Sequence, residues 1–332
     1  MKKNLDHYDV VIVGAGISGA VLAERYSTIL GKKVLILESR PHVGGNCYDY
    51  INEEGILIAK YGPHFFHTND KGVWDYIHMF SEWIPYEHRV IAHVDGKKVP
   101  VPVNITTVNT LFNLNIKSPD EMQQWLESNT EKIAEPKNSE ESALKRVGKN
   151  LYEKLFKSYT IKQWDKYPYE LGSEVLDRIP VRIDFDDRYF TDLYQGMPKR
   201  GYTALFEKML SHKNIEIKLA TSWEALQNSI SYDTLFFTGK IDSYFQEKYG
   251  KLQYRSLRFE FETLNQESFQ ERTVENYPSS EVPFTRITEF KKATGQQHQK
   301  TTICREYPTW DGEPYYPVPS TENKLLYAQY QA

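Results

Sequence analysis

The chain has 332 residues, 40% of them hydrophobic and 26% charged, an ordinary globular composition with room for two or three packed units. Its formal net charge of −4 offers no broad basic field, so no nucleic-acid partner is expected. Two distant cysteines, Cys47 and Cys304, with no CxxC pair or His/Cys cluster around them, point away from a disulfide framework and toward a reducing compartment.

Lys2 and Lys3 ahead of an apolar run imitate a signal peptide. Asp6 and Asp9 break the basic region and glycines punctuate the apolar part, so the run reads better as a strand, a turn and a helix. No apolar stretch reaches the roughly 18 residues of a membrane span, and none is expected.

Residues 8–13 form the first β run. The turn Gly14-Ala15-Gly16-Ile17-Ser18-Gly19 follows, then a helical segment to about Leu30, with Gly31 suited to its C-terminal cap. Residues 34–37 form a second β run that ends at Glu38. In such a turn Gly14 permits the tight bend, Gly16 lets backbone approach a pyrophosphate, and Gly19 lets helix pack on strand. The helix N-terminus offers free N–H groups and the positive end of its dipole. The Glu38 carboxylate is placed to accept hydrogen bonds from an adenosine ribose. Beyond it come Arg40 and the pair Gly44-Gly45 before Asn46, a second site for close backbone approach. A simple glycine turn would look the same by itself; joined to the first motif, it favours FAD over NAD.

Residues 117–164 are charged and helically periodic, with a break at Pro136 and Asn138. Leu151, Leu155 and Tyr159 share one face there, and Phe156, Thr160 and Trp164 a neighbouring one. Residues 182–190 are extended and acidic. Residues 202–210 look helical, and the β runs near 215–219 and 234–237 are candidates to rejoin the first sheet. Residues 254–264 alternate, with Leu257, Phe259 and Phe261 on one side, and 301–304 form another β run, which suggests an antiparallel sheet. The expected fold is α/β: a Rossmann-type FAD-binding domain (1–85 and 200–245), an inserted helical domain (105–175) with a mobile loop near 171–182, and an antiparallel β-sheet substrate domain (86–104, 180–199 and 246–320), with a cleft between them.

The run Glu38-Ser39-Arg40-Pro41-His42-Val43-Gly44-Gly45-Asn46 resembles the glutathione-reductase-like flavoproteins. The next segment, Lys60-Tyr61-Gly62-Pro63-His64-Phe65-Phe66-His67-Thr68-Asn69, resembles the signature of the UDP-galactopyranose mutases. So do Ser158-Tyr159-Thr160-Ile161-Lys162-Gln163-Trp164, Arg178-Ile179-Pro180-Val181-Arg182, Tyr189-Phe190-Thr191-Asp192-Leu193-Tyr194-Gln195-Gly196, Tyr254-Arg255-Ser256-Leu257, Pro283-Phe284-Thr285-Arg286 and Glu313-Pro314-Tyr315-Tyr316-Pro317-Val318. These blocks fall in the family's order over nearly the whole chain.

The resemblance implies an isomerase that interconverts UDP-galactopyranose and UDP-galactofuranose with reduced FAD and no net redox, flavin N5 attacking the anomeric carbon as UDP departs. It makes Arg178 and Arg286 the guanidinium forks on the diphosphate, with Arg178 on a loop that closes over substrate. Phe156 and Tyr159 would stack near the uracil, Thr160 would bond the nucleotide, and Trp164 would face the sugar. Tyr189 and Tyr316 would contact the diphosphate, with Asn276 near the nucleotide. Periodicity alone reads Phe156 to Trp164 as a core helix face, and two arginines alone as surface ion pairs. His64 and His67 show HxxH spacing but lack a third metal ligand; the resemblance instead implies cofactor binding for both, with His67 beside the flavin in a catalytic role, and no metal is expected. Asp184, Asp186 and Asp187 could suggest a glycosidase acid pair, although a solvated strand edge is the plainer reading. His88-Arg89 stands where some relatives carry an asparagine near the nucleotide.

The family's chains run on past the helix beginning near Asn323, through a strand, a Gly-Gly-Arg turn and a Tyr-Tyr-Asp motif that complete the flavin site. This sequence ends at Ala332 ahead of them, so a chain without that cover over the flavin is expected. A cytoplasmic location follows from the lack of an export signal and from a nucleotide-sugar substrate, and the resemblance implies a homodimer. Two other readings stay open: another flavin oxidoreductase of the same broad group, and a non-catalytic mutase remnant.

Overall fold

The first apolar run becomes a central strand of a parallel sheet. In the computed structural model, which describes residues 6–332, Asp6–Val13 lies between Val34–Leu37 and Ile230–Phe237, with Ile215–Lys218 beyond Val34–Leu37. All three pairings are parallel. Val34–Leu37 is buried throughout, the continuous apolar pattern that a strand covered on both faces needs. The helix Ile17–Thr28 connects the first two strands, as a parallel pair requires. The two late β runs do rejoin this sheet. The basic pair Lys2 and Lys3 lies outside the described residues.

The chain divides into two compact units. The first comprises residues up to Tyr86, Asp192–Gly250 and Thr294–Gln296. Besides the parallel sheet it holds a small sheet in which Tyr194–Pro198 lies between Phe66–Thr68 and Trp83–Pro85. That pairing explains why residues 192–199 leave the antiparallel-sheet domain expected for them: their backbone bonds are made here. Residues 294–296 belong here for a similar reason, since the Gln296 side chain accepts from the Leu57 N–H (3.0 Å) and donates to the Gly55 carbonyl (2.6 Å).

The second unit comprises Glu87–Thr191, Lys251–Ala293 and Gln297–Ala332. Its sheet runs in the order Tyr316–Pro317, Tyr254–Leu264, Thr301–Thr309, Arg286–Glu289, Val274–Asn276, Val90–Val94, Lys97–Val101. Only Val274–Asn276 with Val90–Val94 is parallel among the pairings of this sheet. The helices of the expected inserted domain belong to this same unit. Local chemistry sets their starts: Ser118 and Asn138 accept from the N–H groups of Glu121 and Glu141 at the heads of Pro119–Asn129 and Ser139–Leu151. Gly148 has φ +76 inside the second of these, and a Cβ there would sit 2.0 Å from the Asn129 carbonyl oxygen. A π-helical segment, Tyr152–Lys157, then leads into Ser158–Trp164. Such a segment carries an i→i+5 pattern and re-phases the faces that follow it. Among the described residues, no helix is long and apolar enough to cross a membrane.

Candidate functional site

In the first unit, the glycines of the turn divide their work. Gly14 has φ +104, and a Cβ there would lie 2.2 Å from the Thr238 hydroxyl oxygen. At Gly19 a Cβ would lie 2.0 Å from the Gly14 carbonyl oxygen, so helix meets strand only without a side chain. Gly16 is different: its φ is −73, and the nearest atom to an added Cβ is the Gly45 Cα at 3.9 Å. Gly45, at φ +55, would put its own Cβ 2.9 Å from the Gly16 Cα. The two glycine motifs therefore meet at Gly16 and Gly45, joined by the Gly44 N–H donating to the Ala15 carbonyl (2.8 Å). The helix that starts here has no side-chain cap, which leaves its first-turn N–H groups for an anion.

Glu38 is buried, and its carboxylate accepts from the N–H groups of Ala15 (2.8 Å) and Arg40 (2.8 Å). The residue expected to hold a ribose thus also ties the end of the second strand to the glycine turn. Arg40 donates to the Asn46 side chain (3.0 Å) and lies 4.3 Å over the Tyr61 ring. His64 and His67 are both exposed. His67, on Phe66–Thr68, bonds through Nδ1 to Asp192 (2.8 Å), and Asn69 donates to the other oxygen of the same carboxylate (2.8 Å). Among the described residues, no group of three or more His, Cys, Asp or Glu could hold a metal ion. Burial pushes the Cys47 thiol up to about 12 and the Cys304 thiol up as well, so neither supplies a thiolate nucleophile at neutral pH.

In the second unit, sheet register aligns a polar row. Asn276 is opposite Arg286, and Arg286 is opposite Glu306, on neighbouring antiparallel strands. The Arg286 guanidinium donates to the Glu306 carboxylate at 2.8 Å, and Glu306 is 1% exposed. Burial works against the guanidinium's charge, but the adjacent carboxylate outweighs it, and Arg286 stays firmly protonated. Burial pushes the Tyr159 phenol up to about 12; Arg286 pulls it down, while Glu306, Tyr189 and Tyr316 push it further up. Five groups therefore share one electrostatic neighbourhood, and four of them are expected site residues. Trp164 meets Tyr316 edge to face, with ring centroids 6.2 Å apart. A guanidinium with phenols and an amide around it suits a diphosphate. Because Glu306 offsets the charge of Arg286, a second cation is needed to balance such a ligand.

Other expected residues lie apart from this row. Phe156 is buried, lining a small cavity with Arg146, Leu176, Ile179 and Val181. Phe156 lies within the π-helical segment, and Tyr159, just beyond it, is half-buried. Thr160 is buried as well. Arg178 follows the short helix Glu174–Asp177 and is exposed; its backbone N–H donates to the Leu176 carbonyl, and its side chain has no hydrogen-bond or ion-pair partner among the described residues. The expected mobile loop around it is anchored in this structure: Arg146 donates to the carbonyls of Leu176 (2.7 Å) and Ile179 (2.5 Å), and the Gly172 N–H donates to the Pro319 carbonyl (3.0 Å). Asp184, Asp186 and Asp187 make turn and ion-pair contacts, with Asp186 held down to about 2 by its hydrogen bond to Arg188. Sequence reading missed Glu306 and Lys162. A lone carboxylate just past the β run at 301–304 was the available signal for the first. The second lay inside the Tyr159–Trp164 block without drawing notice.

A family model described as UDP-galactopyranose mutase matches residues 154–332. A protein from Klebsiella pneumoniae described as a probable UDP-galactopyranose mutase is 40% identical over 332 residues, covering 98% of this chain and 85% of that protein. The chain belongs to the UDP-galactopyranose mutase family. Its class of activity is that of the family's isomerases. A second family model, for NAD(P)-binding Rossmann-like domains, matches residues 12–80, which hold the glycine turn. A dTDP-fucopyranose mutase from Escherichia coli is 38% identical and covers 97% of this chain and 88% of its own. The UDP-galactopyranose mutase of Mycoplasma genitalium is 31% identical over 98% of this chain and 86% of its own. Among solved structures, a reduced UDP-galactopyranose mutase aligns with TM-score 0.73 and 18% identity over 96% of this chain and 78% of that one, which speaks to the fold.

Proposed function

We propose that this mutase interconverts UDP-galactopyranose and UDP-galactofuranose, with FAD held in the first unit and the sugar nucleotide in the second. The observation that carries the reading is the row Asn276, Arg286 and Glu306 with Tyr159 and Tyr316 beside it, on a chain of this family.

The residues present fit a dinucleotide. Gly16 and Gly45 leave a backbone surface without side chains beside an uncapped helix N-terminus, and the buried carboxylate of Glu38 ends the second strand. When bound, reduced FAD supplies the nucleophile toward the sugar's anomeric carbon. The chain's own residues have three tasks. Arg286, oriented by Glu306, takes the diphosphate oxygens that gain charge as the glycosyl bond to UDP breaks. Arg178, exposed and with no side-chain partner among the described residues, supplies the second cation by moving onto the diphosphate when substrate binds. Trp164 and Tyr316 offer aromatic faces to the sugar and exclude water. His67, held by Asp192, lies on the flavin side and keeps a fixed ring orientation there. We place the protein in the cytoplasm, where nucleotide sugars are made, and as a homodimer.

The fucose relative is nearly as similar as the galactose one, so dTDP-fucopyranose is the second reading. A competition assay separates the two: reduced protein is given both nucleotide sugars, and consumption is followed by anion-exchange chromatography. Preferential conversion of the UDP sugar supports the proposal. A kcat/KM at least tenfold higher for the dTDP sugar overturns it.

A further inference from the structure

We infer that Lys162 is a positioning residue: its ammonium pins the hairpin that carries Asn276 and Arg286 to the helix that carries Tyr159 and Trp164. This rests on the nucleotide reading of the second unit. Lys162 lies in Ser158–Trp164, and its Nζ donates to four backbone carbonyls, those of Tyr277 (2.5 Å), Ser279 (2.8 Å), Val282 (2.9 Å) and Phe284 (2.9 Å). All four belong to the loop between Val274–Asn276 and Arg286–Glu289.

An ammonium has three N–H groups, so four acceptors at these distances use its full donor capacity. The loop is closed around it by backbone bonds, Tyr277 N–H to the Thr285 carbonyl (2.9 Å) and Thr285 N–H to the Glu306 carbonyl (2.9 Å). Without the ammonium, these carbonyls would face one another with no shared donor. Burial makes the charge costly and pushes Lys162 down to about 8, a cost that an ordinary surface lysine avoids. The C-terminal end of the same helix is fastened too: Arg255 donates to the carbonyls of Gln163 (3.0 Å) and Lys162 (3.3 Å), and Arg255 is the cross-strand neighbour of Tyr316.

The consequence is geometric. Asn276 enters the loop, Arg286 leaves it, and Tyr159 and Trp164 flank Lys162 on the helix. A single cation therefore sets the spacing between the groups that would stack on the base and those that would bind the diphosphate.

The test is UDP binding, followed by isothermal titration calorimetry on the full-length protein, for wild type, Lys162→Ala and Lys162→Gln. Gln keeps an amide donor and guards against a variant that fails to fold. Propylammonium replaces the atoms that Lys162→Ala removes, and a role limited to folding would not make UDP affinity respond to it. The expected result is a UDP Kd at least tenfold weaker in both variants, with propylammonium at tens of millimolar restoring most of the loss in Lys162→Ala but not in Lys162→Gln. Wild-type affinity in either folded variant, or no response of Lys162→Ala to the amine, overturns the pin. Absence of UDP binding by the wild type overturns the nucleotide reading, and the positioning role falls with it.

Discussion

A methyl group at Gly16 should separate cofactor binding from folding. The position has φ −73, so alanine fits the backbone, and the nearest neighbour of the new Cβ is 3.9 Å away. The cost to the fold is about 1 kcal/mol or less, the difference between glycine and alanine ahead of a helix. On the proposed reading, the same methyl would stand on the backbone surface that a bound dinucleotide's pyrophosphate would approach. Losing two charge-assisted backbone hydrogen bonds, each about 1.5–3 kcal/mol, removes roughly 3–6 kcal/mol of binding, or a hundredfold to ten-thousandfold in affinity. Gly19→Ala is the contrasting variant. Its Cβ would lie 2.0 Å from the Gly14 carbonyl oxygen, so it should destabilise the unit itself, by about 1–3 kcal/mol or more. Flavin content from the visible spectrum and thermal melts of the cofactor-free proteins read the two effects. Gly16→Ala protein that retains a full complement of flavin would refute the assignment of this turn.

Arg286→Ala and Arg178→Ala should each lower mutase turnover at least a hundredfold. Only the first should lower thermal stability, because it strands the Glu306 carboxylate, 1% exposed, at a cost of about 3–5 kcal/mol; equal melting points would contradict the pairing. Asp186 sits near 2 against its ordinary 3.8 because Arg188 holds it ionised. Its contribution is therefore complete above about pH 4 and lost as pH falls toward 2, on the order of 1–2 kcal/mol after allowing for its partial exposure, and Asp186→Asn should flatten that part of the acid denaturation curve. Gly148→Ala should cost roughly 2–5 kcal/mol in denaturant unfolding, since φ is +76 and its Cβ would meet the Asn129 carbonyl oxygen at 2.0 Å; a shift below 1 kcal/mol would show that the kink relaxes.

The parallel sheet was legible because its steric demands leave marks in the sequence. Gly14, Gly16 and Gly19 follow an apolar run, an acidic residue ends the next one, and the glycine pair at 44 and 45 fits against Gly16. The pairing of Arg286 with Glu306 was not legible, because it depends on the register of two distant strands. The helical face through Leu151, Leu155 and Tyr159 was read with a period of 3.6, and the π-helical segment Tyr152–Lys157 breaks that period. Within it Phe156 lines the cavity beside Leu176, while Tyr159, just beyond it, feels the charge of Arg286. The separate helical domain dissolved into the sheet unit for a related reason: periodicity announces which face a helix will bury, but not the distant element it will bury it against. Arg178 is a different case, since its expected role depends on a movement that one conformation does not display.

The most direct test of the account is the interconversion itself, measured by chromatography of UDP-galactofuranose incubated with the flavin-loaded protein before and after dithionite reduction. The account predicts conversion to UDP-galactopyranose by the reduced protein and little or none by the oxidised form. Equal conversion in both states, or none by protein that carries fully reduced flavin, would contradict it.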